Sequence, residues 1–302
     1  MKKKFLITGG AGFIGSHLAE KLSKNSYVTV IDNLFQGNKL KINKNIKLVV
    51  GDIRDKKLVI KYSKECETIF HLAAIIGVDV VARNKIETMN TEFEGLKNVC
   101  EASIKNNVKK IIYSSSSGVY GRLNYSKKVK ENAIVAPYSG YAMAKRASEV
   151  YLNNFHREYK INCASVRLFN VYGERQDERM VIARFVEQAK KNHDITIYGN
   201  GSQTRDFTHV DDCVKTFQIL DKKIKGCEIF NSSRGQEFKI IEIAKIIKKL
   251  FKSKSKIKCI IVPKGLEEFQ VKKRCGNSTK LLNYTKFKPS INLIEGLKKT
   301  YF

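Results

Sequence analysis

The sequence has no hydrophobic run long enough to cross a membrane, so we do not expect a membrane-spanning protein. Its lysine-rich start, MKKKFLITGG, lacks the form of a signal peptide, because the apolar stretch is short and runs into a glycine turn. The seven cysteines include no C-x-x-C pair and are odd in number, which argues against a disulfide framework and against a zinc site. We therefore expect a protein of the reducing cytoplasm with no metal and no membrane partner.

Acidic residues are few beside the basic ones: 29 Asp and Glu stand against 57 Lys and Arg, and the net charge is +28. Such a charge attracts nucleic acid, anionic membranes or anionic substrates. The densest basic runs, KIIKKLFKSKSKIK and KVK, lack the interleaved aromatic residues of a nucleic-acid stacking surface. We interpret most of the charge as solvated helix faces that also favour phosphate-bearing substrates, and we do not expect a nucleic-acid partner.

Short β-rich runs alternate with helical patterns in the first half of the chain. The runs are KKFLITG, YVTVID, IKLVVGD, TIFHLAA and KKIIYSS, and helical spacing appears between them, as in EGLKNVCEASIKN. This alternation predicts an α/β fold with a Rossmann-type doubly wound parallel sheet. Ligands of such a sheet bind at the carboxyl ends of its strands. After about residue 168 the alternation loosens, and we expect a smaller C-terminal substrate-binding lobe that completes a cleft.

The first strand–helix connection carries Gly9, Gly12 and Gly15 with G-x-x-G-x-x-G spacing. Glycines at these places permit a tight turn, let backbone N–H groups approach a pyrophosphate, and allow close helix packing. Asp32 ends the next strand, where a carboxylate accepts hydrogen bonds from ribose hydroxyls and repels a 2′-phosphate. The pattern favours NAD over NADP, and a simple strand-end turn is the alternative for Asp32.

The third and fourth strands end in further candidates. GDIRD places Asp52 where its carboxylate would meet the adenine amino group, with Ile53 packed on the ring. HLAA supplies small residues that let the backbone run under the cofactor. His71 of that motif is interpreted as a packed, hydrogen-bonded histidine rather than a catalyst.

YSGYAMAKRASEV places Tyr141 and Lys145 four residues apart on a predicted helix, and therefore on one face. The pKa of a free tyrosine is about 10, so the phenol is a poor base at neutral pH. A neighbouring lysine cation and the positive nicotinamide ring would stabilise the phenolate and let Tyr141 take a hydroxyl proton. Y-x-x-x-K also recurs by chance, and an ordinary exposed helix is the alternative. The glycine loop and the serine run YSSSSGVYG favour the catalytic interpretation.

Taken together, these motifs resemble the extended short-chain dehydrogenases/reductases, in particular the nucleotide-sugar epimerase/dehydratase family. The resemblance includes TGGAGFIG, VRLFNVYG and IYGNGSQTRDFTHVDDCV and reaches KFKPSINLIEGLKKT near the C-terminus. It implies NAD as cofactor, a nucleotide-sugar substrate that is UDP-linked, and a homodimer. It further implies that Tyr141 is the base, that Lys145 binds the nicotinamide ribose, and that Ser116 hydrogen-bonds the reacting oxygen. The cofactor contacts that we expect are Gly9, Gly12, Phe13, Ile14, Gly15, Asp32, Asn33, Asp52, Ile53, Leu72, Ala73, Ala74, Ser114, Tyr141 and Lys145.

The substrate end also follows from the resemblance. Asn170, Arg205 and Arg274 match family positions that contact the sugar-nucleotide diphosphate, and Ser116 joins them as a substrate contact. A guanidinium suits a diphosphate because its planar fork donates several hydrogen bonds at fixed geometry. Surface charge is the alternative for both arginines. We expect residues 1–168 with 206–232 to form the NAD-binding domain, and 169–205 with 233–302 to form the sugar-nucleotide-binding lobe.

Three positions depart from the family pattern. Glu92 stands where the family has Asn in N-x-x-G-T, which leaves that cofactor contact open. Glu174 replaces the proline of YGPRQ, and we expect a looser loop at the substrate mouth. Asn277 replaces an acid after the second arginine, and the sequence offers no reason for it.

Among the activities of this family, 4-epimerisation is the leading interpretation. A 4,6-dehydratase needs an acid–base pair, typically Asp-Glu, beside the catalytic hydroxyl, but Ser117 and Gly118 hold those places. Decarboxylating relatives also tend to carry a Glu in this segment. Both activities stay open as alternatives, whereas Asp32 disfavours a reductive NADPH enzyme. A catalytically idle member that binds nucleotide or RNA is a more distant alternative.

Overall fold

The structure is a computed structural model that describes residues 2–122, 127–263 and 271–302. Its central sheet has seven strands, each parallel to its neighbours. From one edge to the other they are β10 (Cys227–Ser232), β6 (Asn162–Leu168), β5 (Lys110–Ser116), β4 (Thr68–His71), β1 (Lys4–Thr8), β2 (Tyr27–Asp32) and β3 (Ile46–Val50). Because the strands are parallel, their carboxyl ends meet along one edge of the sheet.

Helices cover both faces of this sheet, which confirms the predicted doubly wound α/β fold. One face packs on α1 (Phe13–Ser23), α7 (Val210–Lys223) and α9 (Thr279–Thr285), and the other on α2 (Lys56–Tyr62), α4 (Lys85–Lys105) and α5 (Gly140–Tyr159). Successive side chains of a strand point to opposite faces. Accordingly, Phe5 and Ile7 of β1 join the first hydrophobic cluster, whereas Leu6 joins the second.

The remaining elements build a second, smaller layered unit. A three-stranded sheet orders β11 (Glu237–Lys239), β9 (Thr204–His209) and β7 (Asn170–Tyr172), and a two-stranded sheet pairs β12 (Ile257–Ile260) with β8 (Ile195–Tyr198). They share one hydrophobic cluster with α6 (Val181–Lys190), α8 (Ile240–Leu250) and α10 (Leu293–Tyr301). Two short helices lie by the carboxyl ends of the large sheet: α3 (Val78–Arg83) and the 3-10 helix Ser117–Tyr120. Within the described ranges, no helix is both long and apolar enough to span a membrane.

Candidate active site

A cavity of about 910 Å³ lies at the carboxyl ends of the parallel strands. It extends from the loop after β1 to the side chains of β9 and of the segment around Arg274. Every residue that the sequence analysis named as a cofactor, catalytic or substrate contact lines this cavity. They are Gly9, Gly12, Phe13, Ile14, Gly15, Asp32, Asn33, Asp52, Ile53, Leu72, Ala73, Ala74, Ser114, Ser116, Tyr141, Lys145, Asn170, Arg205 and Arg274. The fold thus brings the predicted residues together, while their individual roles stay predictions.

The glycine turn after β1 is built so tightly that side chains cannot enter it. Gly9 has a φ of +70°, and a Cβ there would lie 2.6 Å from the backbone of Ala73. A Cβ on Gly15 would lie 2.2 Å from the Gly9 carbonyl oxygen. Gly12 differs, because its Cβ would meet only that carbonyl, at 3.4 Å, and would otherwise enter open space.

The open space above Gly12 lies at the N-terminus of α1. Gly12 precedes that helix without a side-chain cap, and the first turn of the helix lines the cavity. Uncapped N–H groups at a helix N-terminus bind anions, since they carry partial positive charge. The turn therefore fits the pyrophosphate of a dinucleotide.

Asp32 stands beside this turn at the end of β2. Its two carboxylate oxygens accept the backbone N–H groups of Ala11 and Leu34, each at 2.9 Å. Burial raises the pKa of Asp32, and the same hydrogen bonds oppose that rise. Each carboxylate oxygen has a second lone pair, so Asp32 can still accept the hydroxyls of a ribose.

Asp52 is engaged by a neighbour along the chain. Arg54 donates to its two oxygens at 3.0 and 2.6 Å, and this guanidinium lowers the pKa of Asp52, with a further hydrogen bond from Asn33. Ile53 is buried and packs on Gly95 of α4, where a Cβ would come within 2.2 Å of the isoleucine methyl. The pair thus forms a fixed wall of the cavity at the end of β3.

His71 is fully buried behind the cavity wall. Its Nδ1 lies 2.7 Å from the hydroxyl of Thr8, and its ring stacks on Tyr113 at 5.7 Å. Burial, with a smaller contribution from the Lys145 cation, lowers the pKa of His71 to about 3. The imidazole is therefore neutral at physiological pH and does not line the cavity, which agrees with the structural role inferred from the sequence.

Tyr141 and Lys145 occupy the first two turns of α5, and the Oγ of Ser139 caps this helix by accepting the N–H of Ala142 at 3.2 Å. Ser116 ends β5 next to them. Its Oγ accepts the backbone N–H of Gly118 at 3.0 Å, and the same hydroxyl acts to lower the pKa of Tyr141. The predicted catalytic group is therefore assembled at the cavity from one strand end and one helix start.

The Lys145 ammonium is held by two acceptors. It lies 3.0 Å from the carboxylate of Glu92 on α4 and 2.8 Å from the backbone carbonyl of Ser114. Tyr113 donates its hydroxyl to the same carboxylate. Burial raises the pKa of Tyr141; Lys145 opposes this rise and Glu92 adds to it. The expected stabilisation of the phenolate by Lys145 is thus partly cancelled.

The sequence analysis treated Glu92 only as a departure from a family pattern and missed this pairing. A signal was nevertheless present. Glu92 shares the buried face of α4 with Thr88 and Leu96, four residues to either side. A carboxylate on a buried helix face needs a cation or hydrogen-bond donors. The pattern therefore called for a partner without identifying Lys145 as that partner.

Arg205 projects into the substrate end of the cavity from β9. It donates to the backbone carbonyls of Thr204 and Val271 at 2.8 and 2.6 Å. Within the described ranges it has no carboxylate partner, and burial lowers its pKa to about 10. Arg274 donates to the carbonyl of Gly121 at 2.6 Å. The half-buried guanidinium of Arg205, which contacts backbone carbonyls and no carboxylate within the described ranges, favours an anionic ligand.

Further cavity residues carried no recognisable sequence signal. Arg122 lies over the ring of Tyr138 at 3.9 Å, and Arg184 lies over that of Tyr198 at 4.4 Å. Arg179 also lines this end. These side chains come from separate loops and helices, so no local spacing connects them. The substrate end is therefore more basic than the two predicted arginines indicated.

The loop that carries Glu174, which we expected to be looser without the proline, is attached to its neighbours by ion pairs. Glu174 itself lies 3.7 Å from Lys41. The next residue, Arg175, donates to both oxygens of Glu20 on α1 at 2.6 and 2.9 Å and to Ser16 at 3.1 Å. This ion pair fixes the loop to the helix that begins at the glycine turn.

Asn277 also has a structural explanation. Its Oδ1 accepts the backbone N–H of Thr279 at 2.8 Å, at the start of α9. A carboxylate would accept the same bond, because Asn and Asp both serve helix N-termini. The amide therefore preserves the local turn without the charge.

Comparison with known proteins agrees with this geometry. Residues 5–231 match the model of the NAD dependent epimerase/dehydratase family. The chain is 36% identical over 316 residues to a UDP-N-acetyl-alpha-D-glucosaminuronate decarboxylase of Bacillus cytotoxicus, covering 99% of this chain and 97% of the relative. It is 41% identical over 249 residues to a putative UDP-glucose 4-epimerase of Methanocaldococcus jannaschii, covering 80% and 81%. The crystal structure of UDP-glucose 4-epimerase from Thermotoga maritima with UDP-glucose superposes with a TM-score of 0.93 at 34% identity, covering 98% of this chain and 97% of that one.

Proposed function

This chain belongs to the NAD-dependent epimerase/dehydratase family, and we propose that it inverts the C4 hydroxyl of a UDP-hexose or UDP-hexuronate. The observation that carries the proposal concerns the two residues after Ser116. Ser117 and Gly118 both line the cavity, and neither can exchange the protons that an elimination of water requires. Inversion of a hydroxyl needs no such pair.

NAD is the cofactor of this family, and the residues of the glycine turn fit it. The open space above Gly12 would receive the pyrophosphate at the N-terminus of α1. Asp32 would accept the ribose hydroxyls. When bound, NAD would supply a reversible acceptor for the hydride on the carbon that bears the reacting hydroxyl.

Proton movement falls to the residues of this chain. Tyr141 would take the proton of the C4 hydroxyl at its phenolic oxygen, while Ser116 Oγ holds the reacting oxygen in place. The transient 4-keto sugar would then present its opposite face, and Tyr141 would return the proton to the inverted hydroxyl. Lys145 uses two of its three N–H donors on Glu92 and Ser114, which leaves one for a cofactor hydroxyl.

The substrate nucleotide would bind in the smaller unit. We propose that residues 169–205 and 233–302 form the sugar-nucleotide lobe and that residues 1–168 with 206–232 form the NAD-binding domain. Two elements cross this division, because all of β9 belongs to the smaller unit and α9 packs on the large sheet. The half-buried guanidinium of Arg205, which lacks a carboxylate partner within the described ranges, supports a diphosphate site. Arg274 and Asn170 line the same end.

A decarboxylase of a UDP-linked uronic acid is the second candidate. The relative at 36% identity over 99% of this chain supports it, as do the additional arginines Arg122 and Arg184 at the substrate end. A 4-keto uronate carries its ketone β to the carboxylate. It can therefore lose carbon dioxide without an acid–base pair beside Ser116.

A single panel separates these activities. The purified protein is incubated with UDP-glucose, UDP-N-acetylglucosamine and the two corresponding uronates, and proton NMR follows C4 inversion while a trap collects carbon dioxide. We expect inversion at C4 with the hexose intact, abolished in Tyr141→Phe and retained in Tyr151→Phe, an exposed tyrosine on the same helix. Release of carbon dioxide supports the decarboxylase, and loss of the C6 oxygen refutes both.

We also propose that the protein is a homodimer that pairs through α4 and α5. Both helices expose several large apolar side chains. A group of such side chains on the surface is typical of a protein–protein interface. These are Ile86, Phe93, Ile104, Met143, Val150 and Tyr151. Light scattering during size exclusion should give twice the mass of 34.4 kDa, and Phe93→Glu with Val150→Glu should give the monomer.

A further inference from the structure

Glu92 is a charged residue that contacts Lys145 of the Tyr141–Lys145 pair but has no role of its own in the proposed mechanism. Its carboxylate is buried, with 1% of the residue exposed. The carboxylate contacts the Lys145 ammonium at 3.0 Å and accepts the hydroxyl of Tyr113. A buried carboxylate needs such partners, because removing either one would leave an unpaired polar group in the interior.

The carboxylate also fixes where the ammonium lies. Lys145 is held between Glu92 on α4 and the carbonyl of Ser114 on β5, so its position depends on two elements besides its own helix. From there its Nζ lies 4.6 Å from the ring centre of Tyr113 and 5.7 Å from that of Tyr141. The lysine cannot act on Tyr141 independently of Glu92.

We propose that Glu92 is a positioning residue that holds Lys145 beside Tyr141 and cancels part of its charge, so that Tyr141 gives up its proton at a higher pH than it would beside a neutral amide. This inference rests on the proposed function only in taking Tyr141 as the base. It concerns a residue at which the chain departs from the pattern of its own family.

The other groups around the pair do not carry a competing charge. His71 on β4 is neutral at physiological pH, because burial lowers its pKa to about 3. Burial also raises the pKa of Tyr113 on β5 well above its usual value, and Glu92 adds to the rise. Lys145 and Glu92 are therefore the two charges that face Tyr141 from the packed elements.

The first test is the substitution Glu92→Gln, which keeps an acceptor for Lys145 and Tyr113 but removes the charge. Charges within about 4–6 Å shift a pKa by about 1–3 units, and Glu92 acts across the lysine, so we expect the lower end. In the pH profile of kcat/KM, the acidic limb should therefore shift to lower pH by about one unit. Glu92→Asp, which keeps the charge, should restore the wild-type limb.

A matched control separates this effect from loss of stability. Glu149 on α5 is another buried carboxylate, and it contacts Arg167 at 2.8 Å. Glu149→Gln should lower the midpoint of unfolding without moving the acidic limb. The inference is wrong if both substitutions shift the acidic limb of the kcat/KM profile equally. It is also wrong if the Glu92→Gln variant folds and its acidic limb stays at the wild-type pH.

A second readout needs no substrate. The tyrosinate absorbance of the protein is titrated with and without Tyr141→Phe, and the difference isolates one of the 13 tyrosines. We expect the titration midpoint of Tyr141 in the wild type to lie above that of free tyrosine. In Glu92→Gln, the Tyr141 midpoint should lie about one pH unit below the wild-type value. An unchanged midpoint in Glu92→Gln, or in Glu92→Asn if Glu92→Gln fails to fold, overturns the inference.

The two readouts also separate this inference from the proposed function. A shift in the tyrosinate titration with no turnover of any sugar nucleotide supports the role of Glu92 and refutes the epimerase. Normal turnover with no shift in either readout refutes the role of Glu92 and leaves the epimerase standing.

Discussion

Substitutions at three glycines distinguish a glycine that the backbone requires from one that a ligand requires. An alanine at Gly9 must adopt a positive φ, which costs about 1–2 kcal/mol. Its Cβ would also press on the backbone of Ala73 at 2.6 Å, which adds about 1–3 kcal/mol of overpacking. Gly199 has a similar φ of +73° with nothing within 4 Å of its Cβ. We therefore expect a loss of about 2–5 kcal/mol for Gly9→Ala and about 1–2 kcal/mol for Gly199→Ala.

Gly12→Ala should behave in the opposite way. Its φ of −76° suits alanine, so the free energy of unfolding should change by less than about 1 kcal/mol. The methyl group would enter the space that we assign to the pyrophosphate, and NAD affinity should fall at least about tenfold, or about 1.4 kcal/mol. Urea denaturation gives the stabilities, and calorimetry on protein stripped of ligand gives the affinities. Unchanged NAD affinity in Gly12→Ala would refute the assignment of that space, and equal losses for Gly9→Ala and Gly199→Ala would refute the clash with Ala73.

Three further predictions concern buried charge. Arg205→Met removes a cation without a carboxylate partner in the described ranges; it should lower affinity for UDP more than about tenfold and leave stability unchanged or higher, by calorimetry and denaturation. Arg167→Met should cost about 3–5 kcal/mol of stability, since it leaves Glu149 without its buried partner. Burial raises the pKa of Asp206 to about 6, so the folded state binds the extra proton below that pH and stability falls as pH rises from about 4 to 6. Asp206→Asn should remove this pH dependence, which amounts to about 3 kcal/mol of unfolding free energy between about pH 4 and 6. Urea denaturation at a series of pH values measures it, and an unchanged pH dependence in the variant would refute the role of Asp206.

The local elements of the NAD-binding half could be predicted because each leaves a complete signal within a few residues. Most residues of β1, β2 and β5 are buried, and each strand contains a short run rich in apolar and β-branched residues. Tyr141 and Lys145 share one helix face by spacing alone. The parallel sheet then brings the strand ends together, so the cavity follows from the topology.

Contacts between distant parts of the chain could not be predicted in this way. Glu92 meets Lys145 across 53 residues, and Arg175 meets Glu20 across 155. A sequence pattern shows that Glu92 lies on a buried face, but not which cation faces it. Packing of α4 against α5 decides that pairing, and the pairing partly cancels the effect that we expected Lys145 to have on Tyr141.

The serine run shows how one local pattern is divided among separate tasks. Ser114 donates to the carbonyl of His71 at 3.2 Å, whereas Ser115 donates to the buried carboxylate of Glu149 at 2.6 Å. Of these three serines, Ser116 is the one that acts to lower the pKa of Tyr141.

This division follows from the alternation of a strand next to a helix. Ser114 and Ser116 are two residues apart on β5 and share one face, whereas Ser115 points to the other. Glu149 then pairs with Arg167 of β6 and accepts Ser115, so a buried ion pair fixes the residue between the two that face the cavity. The carbonyl of Ser114 also accepts Lys145. The end of β5 therefore positions Ser116 and, through the Ser114 carbonyl, also Lys145. A displacement of this strand end would disturb both residues together.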